Sequence, residues 1–304
     1  MDRIIRRKTT GFIRDSFGDK IFLIGIYLFL IIVLLTILVP LLHIVSASFS
    51  NPMDVTSGKV WIWPVNPTLL GYKAVFDNNQ IWWGYWNSIV YTVLGTVISV
   101  VLTVMIAYPL SRKTFYGRNV LMILIAFTML FSGGLIPLYL VVKSLNMVDT
   151  RWALLLPQAL AVWQIIIART FFQTTIPDEL AEAAELDGCS DMGFLIKIVL
   201  PLSKPIIAVM VLMYAVGQWN AYFDALIYLK SQSLFPLQLV LRNILILNTE
   251  TGNNSNLQEM LARQGMKDLM KYSLIVVASL PVLIIYPFVQ KHFVKGMMIG
   301  SIKG

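Results

Sequence analysis

Six apolar stretches alternate with polar intervals along this chain, at about residues 21–45, 87–110, 119–142, 152–169, 206–229 and 273–290. A hydrocarbon core of about 30 Å needs about 20 apolar residues of helix to cross it. The pattern therefore predicts an all-α polytopic membrane protein with six transmembrane helices. The first stretch is longer than the core of a signal peptide and is followed by others, so it reads as an uncleaved first span. A basic segment, residues 1–20, precedes it, and a short tail, residues 296–304, closes the chain.

The spans are not uniformly apolar. In the second, Ser88, Thr92, Thr96, Ser99 and Thr103 recur every three or four residues and share one helical face. Such a face serves helix packing or lines a path for a polar solute, and the sequence leaves both open. The third contains Ser132-Gly133-Gly134 and Pro137, which would loosen or break a helix. The fourth carries Gln158 and Gln164, candidates for cavity or interhelix hydrogen bonds. In the fifth, Asn220 and Asp224 lie four residues apart on one face. Asp224 is the only formal charge within the six stretches. An acid inside a membrane is a functional candidate, although one near a helix end also reaches the interface.

Among the polar intervals, residues 46–86 are rich in tryptophan and tyrosine, which suits a membrane boundary and would also suit stacking on sugar rings. Residues 231–271 form a long polar loop, helical in pattern from 257 to 270. The interval 176–205, IPDELAEAAELDGCSDMGFLIKIVLPLSKP, reads as two short helices about a glycine turn. Pro177 suits a first helical position, and Asp178 and Glu179 complement the positive helix end. Gly188 suits the left-handed residue that ends a helix. A second helix over 192–199 is expected to stop at Pro201.

Charge sets the orientation. The chain is 57% hydrophobic and 13% charged with a net charge of +8, which excludes an ordinary soluble domain. About fifteen of the 24 Lys and Arg fall on the side that holds both ends, the loop Arg112-Lys113-Arg118 and the 176–205 interval. That side is therefore expected to be cytoplasmic, and 231–271 extracytoplasmic. The basic balance fits anionic lipid rather than nucleic acid. One cysteine, Cys189, excludes an internal disulfide, and two distant histidines, His43 and His292, indicate no metal site. No G-x-x-x-x-G-K-[ST] occurs, so ATP hydrolysis by that route belongs to another chain.

The order Glu182-Ala183-Ala184, three residues, Gly188, nine residues, Ile198, one residue, Leu200-Pro201 resembles the EAA loop of ABC-importer permeases. Trp219-Asn220, the long loop before the last span and the closing Lys295-Gly296…Gly300…Lys303-Gly304 are similar to the maltose-type, MalG-like permeases. Phe131 to Pro137 resembles the LplC-like branch, tied to oligosaccharides. The resemblance implies a type I ABC importer (MetI-like) permease fold in the cytoplasmic membrane of a prokaryote, with both termini cytoplasmic. It implies that Glu182, Ala183, Ala184, Asp187, Gly188, Ile198, Leu200 and Pro201 form a coupling loop against an ATPase. Gly300, Lys303 and Gly304 would reach between two ATPase subunits, and 231–271 would meet a solute-binding protein. Gln218, Trp219, Asn220 and Asp224 would join Ser88, Thr92, Thr96 and Gln158 along a translocation path.

The implied partners are a second, distinct permease, two ATPases that hold ATP and Mg, a binding protein and a carbohydrate. The chain itself would be neither an enzyme nor a cofactor binder. The EAA loop is shared with importers of peptides, amino acids and phosphate, so these solutes remain alternatives. An ion-coupled secondary transporter is a rival class, but it would keep charges mid-membrane and often shows two similar halves, neither of which is seen. A channel or scaffold without energy coupling is the other rival.

Overall fold

A computed structural model describes residues 16–246 and 257–298. Among them every regular element is helical. The chain opens with α1 (Phe17–Ser48), continuous through Pro40. The backbone N–H of Ser16 donates to Asp19 Oδ2 at 3.0 Å and fixes its start. The helix is apolar on every side, and within it only Ser46, Ala47 and Ser48 are buried. In water each exposed large apolar side chain would forfeit about 1.5–3 kcal/mol of burial. A handful of them would outweigh a typical net stability of roughly 5–15 kcal/mol. This helix therefore belongs in lipid or against another chain.

Two short helices, α2 (Pro52–Thr56) and α3 (Leu70–Phe76), lead to α4 (Asn79–Ser111). A basic loop follows, then α5 (Arg118–Leu130) and α6 (Leu135–Ser144), bent by 113° at the Ser132-Gly133-Gly134 break. Gly134 sits at φ +85°, where a side chain would be strained. After α7 (Trp152–Leu155) and α8 (Val162–Thr175) come α9 (Asp178–Leu186), α10 (Asp191–Phe194), a π turn (Leu195–Val199) and α11 (Leu200–Leu202). The chain then bends by 82° into α12 (Lys204–Asn220), and α13 (Phe223–Tyr228), α14 (Leu237–Ile246) and α15 (Leu257–Met298) complete it.

The centre of the molecule is α4, against which α12 and α8 pack most extensively, while α15 binds α1, α2, α3 and α12. Small residues allow the close approach: Ala107, Ser99 and Thr103 on α4 and Ala168 on α8 are wholly buried. One apolar cluster ties α4, α8 and α12 to α9 and α10 through Ile165, Phe172, Ala184, Phe194 and Met210. A second joins α3, α4, α14 and α15 around Trp219 and Leu274. A third gathers Tyr91, Leu155, Tyr228 and Leu239.

Several elements differ from the hydropathy pattern. Three helices are long and apolar enough to cross a membrane, or up to five spans if each bent pair counts as one. The expected span at 119–142 is the bent pair α5–α6. The one at 152–169 is split into α7 and α8, because Pro157 and the residues around it leave the helical path. The one at 206–229 breaks at Ala221-Tyr222, between α12 and α13. The last, 273–290, lies inside the 42-residue α15, which runs through Pro281 and Pro287. The loop 231–271 is partly helical, with a 3-10 turn (Gln232–Leu234), α14 and the start of α15.

Candidate functional site

The interval 176–205 is a protruding knuckle. Pro177 is the residue before α9 rather than its first, and Asp178 opens the helix. The far end closes with Gly188 at φ +74°. Cys189 N–H reaches Ala184 O at 2.9 Å and Gly188 N–H reaches Glu185 O at 2.9 Å, the paired bonds of a Schellman closure. The next helix is capped by Ser190, whose Oγ accepts from Gly193 N–H at 3.2 Å. Pro201 does not stop it. The Leu200 N–H bonds back five residues to Leu195 O, and this π turn delivers the helical path past Pro201. The stop comes at Ser203.

Ala184 is the buried anchor of α9, and Ile198 and Leu200 are half-buried against the same cluster. Glu182, Ala183, Asp187 and Gly188 face outward. Beside them Leu186 is 90% exposed, an apolar tip on a polar knob. The base is clasped by the α4–α5 loop. Lys113 Nζ lies 2.8 Å from Asp178 Oδ2, and Arg112 Nη1 lies 3.9 Å from Oδ1. The Lys113 hydrogen bond and charge lower the Asp178 pKa, and Asp178 raises that of Lys113. Arg112 also stacks near Phe194, at 5.4 Å from the ring centre, and Arg169 Nε donates to Leu110 O at 3.0 Å at the end of α4. A cleft of about 750 Å³ runs between this loop and the knuckle.

At the other end of α4 and α12 lies a cavity of about 370 Å³. Of the sequence-predicted path residues, Gln158, Gln218 and Asp224 line it, with Gln164, Tyr91 and Tyr214. The others lie elsewhere. Ser88 is buried, and its Oγ accepts from Leu237 N–H at 2.9 Å. Thr92 and Thr96 have hydroxyls buried within the helix packing. Trp219 is buried on the opposite side, where its Nε1 donates to Ala278 O at 3.2 Å on α15. Asn220 folds back, Nδ2 donating to Val216 O at 2.9 Å. The hydroxyl stripe of α4 is therefore an interhelix seam, and Tyr214 explains part of it. The Tyr214 hydroxyl bonds to Thr103 Oγ1 at 2.7 Å and accepts from Ala161 N–H at 3.3 Å, tying α12 to α4 and to the start of α8.

Sequence reasoning missed Tyr214, Lys113 and Asp149. Asp149 takes φ +60° and gathers the N–H groups of Lys230 and Ser231, each at 2.8 Å, and the Ser231 hydroxyl at 2.6 Å. That hydroxyl, then the backbone donors, lower its pKa. An Asp in a short polar loop carries little signal of a partner 81 residues away. Gly300, Lys303 and Gly304 lie outside the described residues.

A helical membrane protein with a cytosol-type knuckle at one end of a central helix pair and a polar cavity at the other is the build of a transport permease. The chain belongs to the family of inner membrane components of binding-protein-dependent transport systems, which it matches over residues 81–299. It is 43% identical over 287 residues to the polygalacturonan/rhamnogalacturonan transport system permease protein YtcP of Bacillus subtilis (strain 168), covering 94% of this chain and 99% of that one. It is 45% identical over 269 residues to protein LplC of the same organism, covering 88% and 90%. Among solved structures it superposes with a TM-score of 0.84 and 35% identity on a bacterial ABC transporter involved in the import of the acidic polysaccharide alginate, covering 92% of this chain and 99% of that one. The chain is thus a multi-pass, non-catalytic permease component, and the ion-coupled class is excluded.

Proposed function

We propose that this permease carries a saccharide, in an assembly with a second permease, two ATPases that hold ATP and Mg, and an extracytoplasmic solute-binding protein. Both termini and the α9–α10 knuckle face the cytoplasm in this reading. The observation that carries it is the knuckle itself. The residues Glu182, Ala183, Asp187 and Gly188 stand out from a base anchored by Ala184 and clasped by Lys113, so a push on the knob reaches α12 without being absorbed locally. The relatives named for polygalacturonan, rhamnogalacturonan and alginate support a saccharide over a peptide or phosphate.

The mechanism follows from stiffness. ATP binding closes the ATPase pair and carries two knobs together, one per permease. Each knob is continuous through the π turn and Ser203 with α12, whose other end borders the cavity. Closure on one side then opens the cavity to the other. The exposed Glu182 fixes register by meeting a basic residue of the ATPase, and Leu186 fills an apolar recess. The test is Glu182→Lys in the reconstituted transporter. Uptake is expected to collapse while ATP hydrolysis persists. Uptake and hydrolysis that stay coupled as before would remove the coupling role.

A further inference from the structure

The cavity has a composition that its position makes informative. Three carboxamides, Gln158, Gln164 and Gln218, converge on it from two different segments, with the Asp224 carboxylate on the same wall as Gln218. The oxygen and nitrogen atoms of these four side chains make no hydrogen bond or ion pair among the described residues, although neighbouring polar groups such as Tyr214 and Asn220 are partnered. Polar groups at this depth need a partner, and an open cavity supplies one as water or as a polar solute. The seat is also shaped. A Cβ on Gly95 would stand 2.8 Å from the Gln218 carboxamide carbon, so α4 carries a glycine where that side chain crosses it.

The charge of the lining is one-sided. Asp224 is its only ionisable acid, and no Lys or Arg lines the cavity. Arg151 bears on the Tyr91 hydroxyl from outside the lining. Carboxamides donate and accept at once, and a carboxylate accepts from two hydroxyls side by side. That set matches the vicinal hydroxyls of a pyranose, with the Tyr91 and Tyr214 rings giving an apolar edge. A uronate carboxylate would meet Asp224 with no cation between them.

We propose that this cavity is a saccharide seat in this subunit, and that it admits neutral, hydroxyl-rich sugar units while disfavouring uronates. The inference rests on the saccharide reading above and deepens it. It sets this chain's cavity apart from what an acidic cargo would require.

The test uses the complete transporter with its binding protein in proteoliposomes. Initial uptake is measured for radiolabelled neutral arabino- and galacto-oligosaccharides and for oligogalacturonates. Wild type is expected to take up a neutral probe. Gln218→Ala should raise its KM by about threefold to tenfold, the range for one lost hydrogen bond. Asp224→Asn should raise uptake of the uronate relative to the neutral probe by about fivefold or more, as removal of an unscreened charge predicts. Both variants should keep ATP hydrolysis and melting behaviour near wild type. Neutral uptake with a KM indifferent to both variants overturns the seat and leaves the saccharide reading standing. Wild-type preference for the uronate, unchanged by Asp224→Asn, overturns the charge selection. Uptake of neither probe class, with hydrolysis still stimulated by the binding protein, removes the saccharide reading and this inference with it.

Discussion

The knuckle and the cavity are both polar breaks in an apolar chain, and they are built in opposite ways. The knuckle satisfies itself within a few residues. Its glycine closure, its Ser190 cap and its acidic first turn are all local, and only the Lys113 clasp comes from elsewhere. The cavity is assembled from α4, α8, α12, α13 and the α7–α8 break, and its polar atoms are left without protein partners. A part that transmits force must be internally complete. A part that receives a solute must be internally incomplete.

That contrast is open to attack, most forcefully at the closure. Gly188→Val would place a β-branched residue at φ +74°, a strain of about 1–2 kcal/mol or more. Uptake is expected to fall by about tenfold, the equivalent of 1.4 kcal/mol, while hydrolysis continues. A variant with unchanged uptake per ATP would show that local completeness is dispensable. Next comes Tyr214→Phe, which removes the bonds to Thr103 and Ala161. A loss of about 1 kcal/mol is expected, read as a lowered melting midpoint in lipid nanodiscs. No change would mean that the seam does not join the two ends.

Gly95→Ala separates the regions more finely. Alanine favours the α4 helix by about 0.8–1.0 kcal/mol, and the end of the Gln218 side chain is free to swing aside. Stability should therefore hold, while the KM for the transported sugar rises by about threefold, of the order of one hydrogen bond. A lowered melting midpoint with an unchanged KM would make Gly95 a packing residue only.

The smallest effect is electrostatic. The Asp178 carboxyl lies below its ordinary 3.8, so its contribution is complete above 3.8 and fades as pH falls through the lowered folded value. Lys113 lies above its ordinary 10.5, so its contribution is complete below 10.5 and fades as pH rises through the raised value. Between these limits Asp178→Asn should lower the melting midpoint by a constant amount. The difference should vanish in acid below 3.8. A difference that persists there would show that Asp178 acts by packing and not by charge.

The same contrast explains what was legible in the sequence. Glu182, Ala183, Ala184 and Gly188 stand close together, and their spacing carries the turn chemistry that places them. Gln218 and Asp224 were visible as polar residues in an apolar run, but so were Asn220 and Trp219, which lie away from the cavity. Which way a side chain leaves α12 depends on what α4 and α15 present to it, and no local pattern records that. The hydroxyl stripe was correctly seen as one face. Its role as a seam depends on Tyr214, 111 residues from Thr103. Hydropathy located the apolar mass but not its breaks. A helix passes through Pro40, Pro281 and Pro287 and fails near Pro157, because neighbouring packing decides whether a lost N–H bond matters.

The unbroken stretch from Lys204 to Asn220 has a mechanical consequence. Seventeen residues of helix make a rod of about 25 Å. Pivoted at Ser203, a tilt of about ten degrees sweeps its Gln218 end through about 4 Å, since a rigid rod of that length converts angle to travel in proportion. So modest a swing exceeds the reach of any single hydrogen bond. A lever arm of this length can let go of a bound hydroxyl without bending anywhere along its shaft.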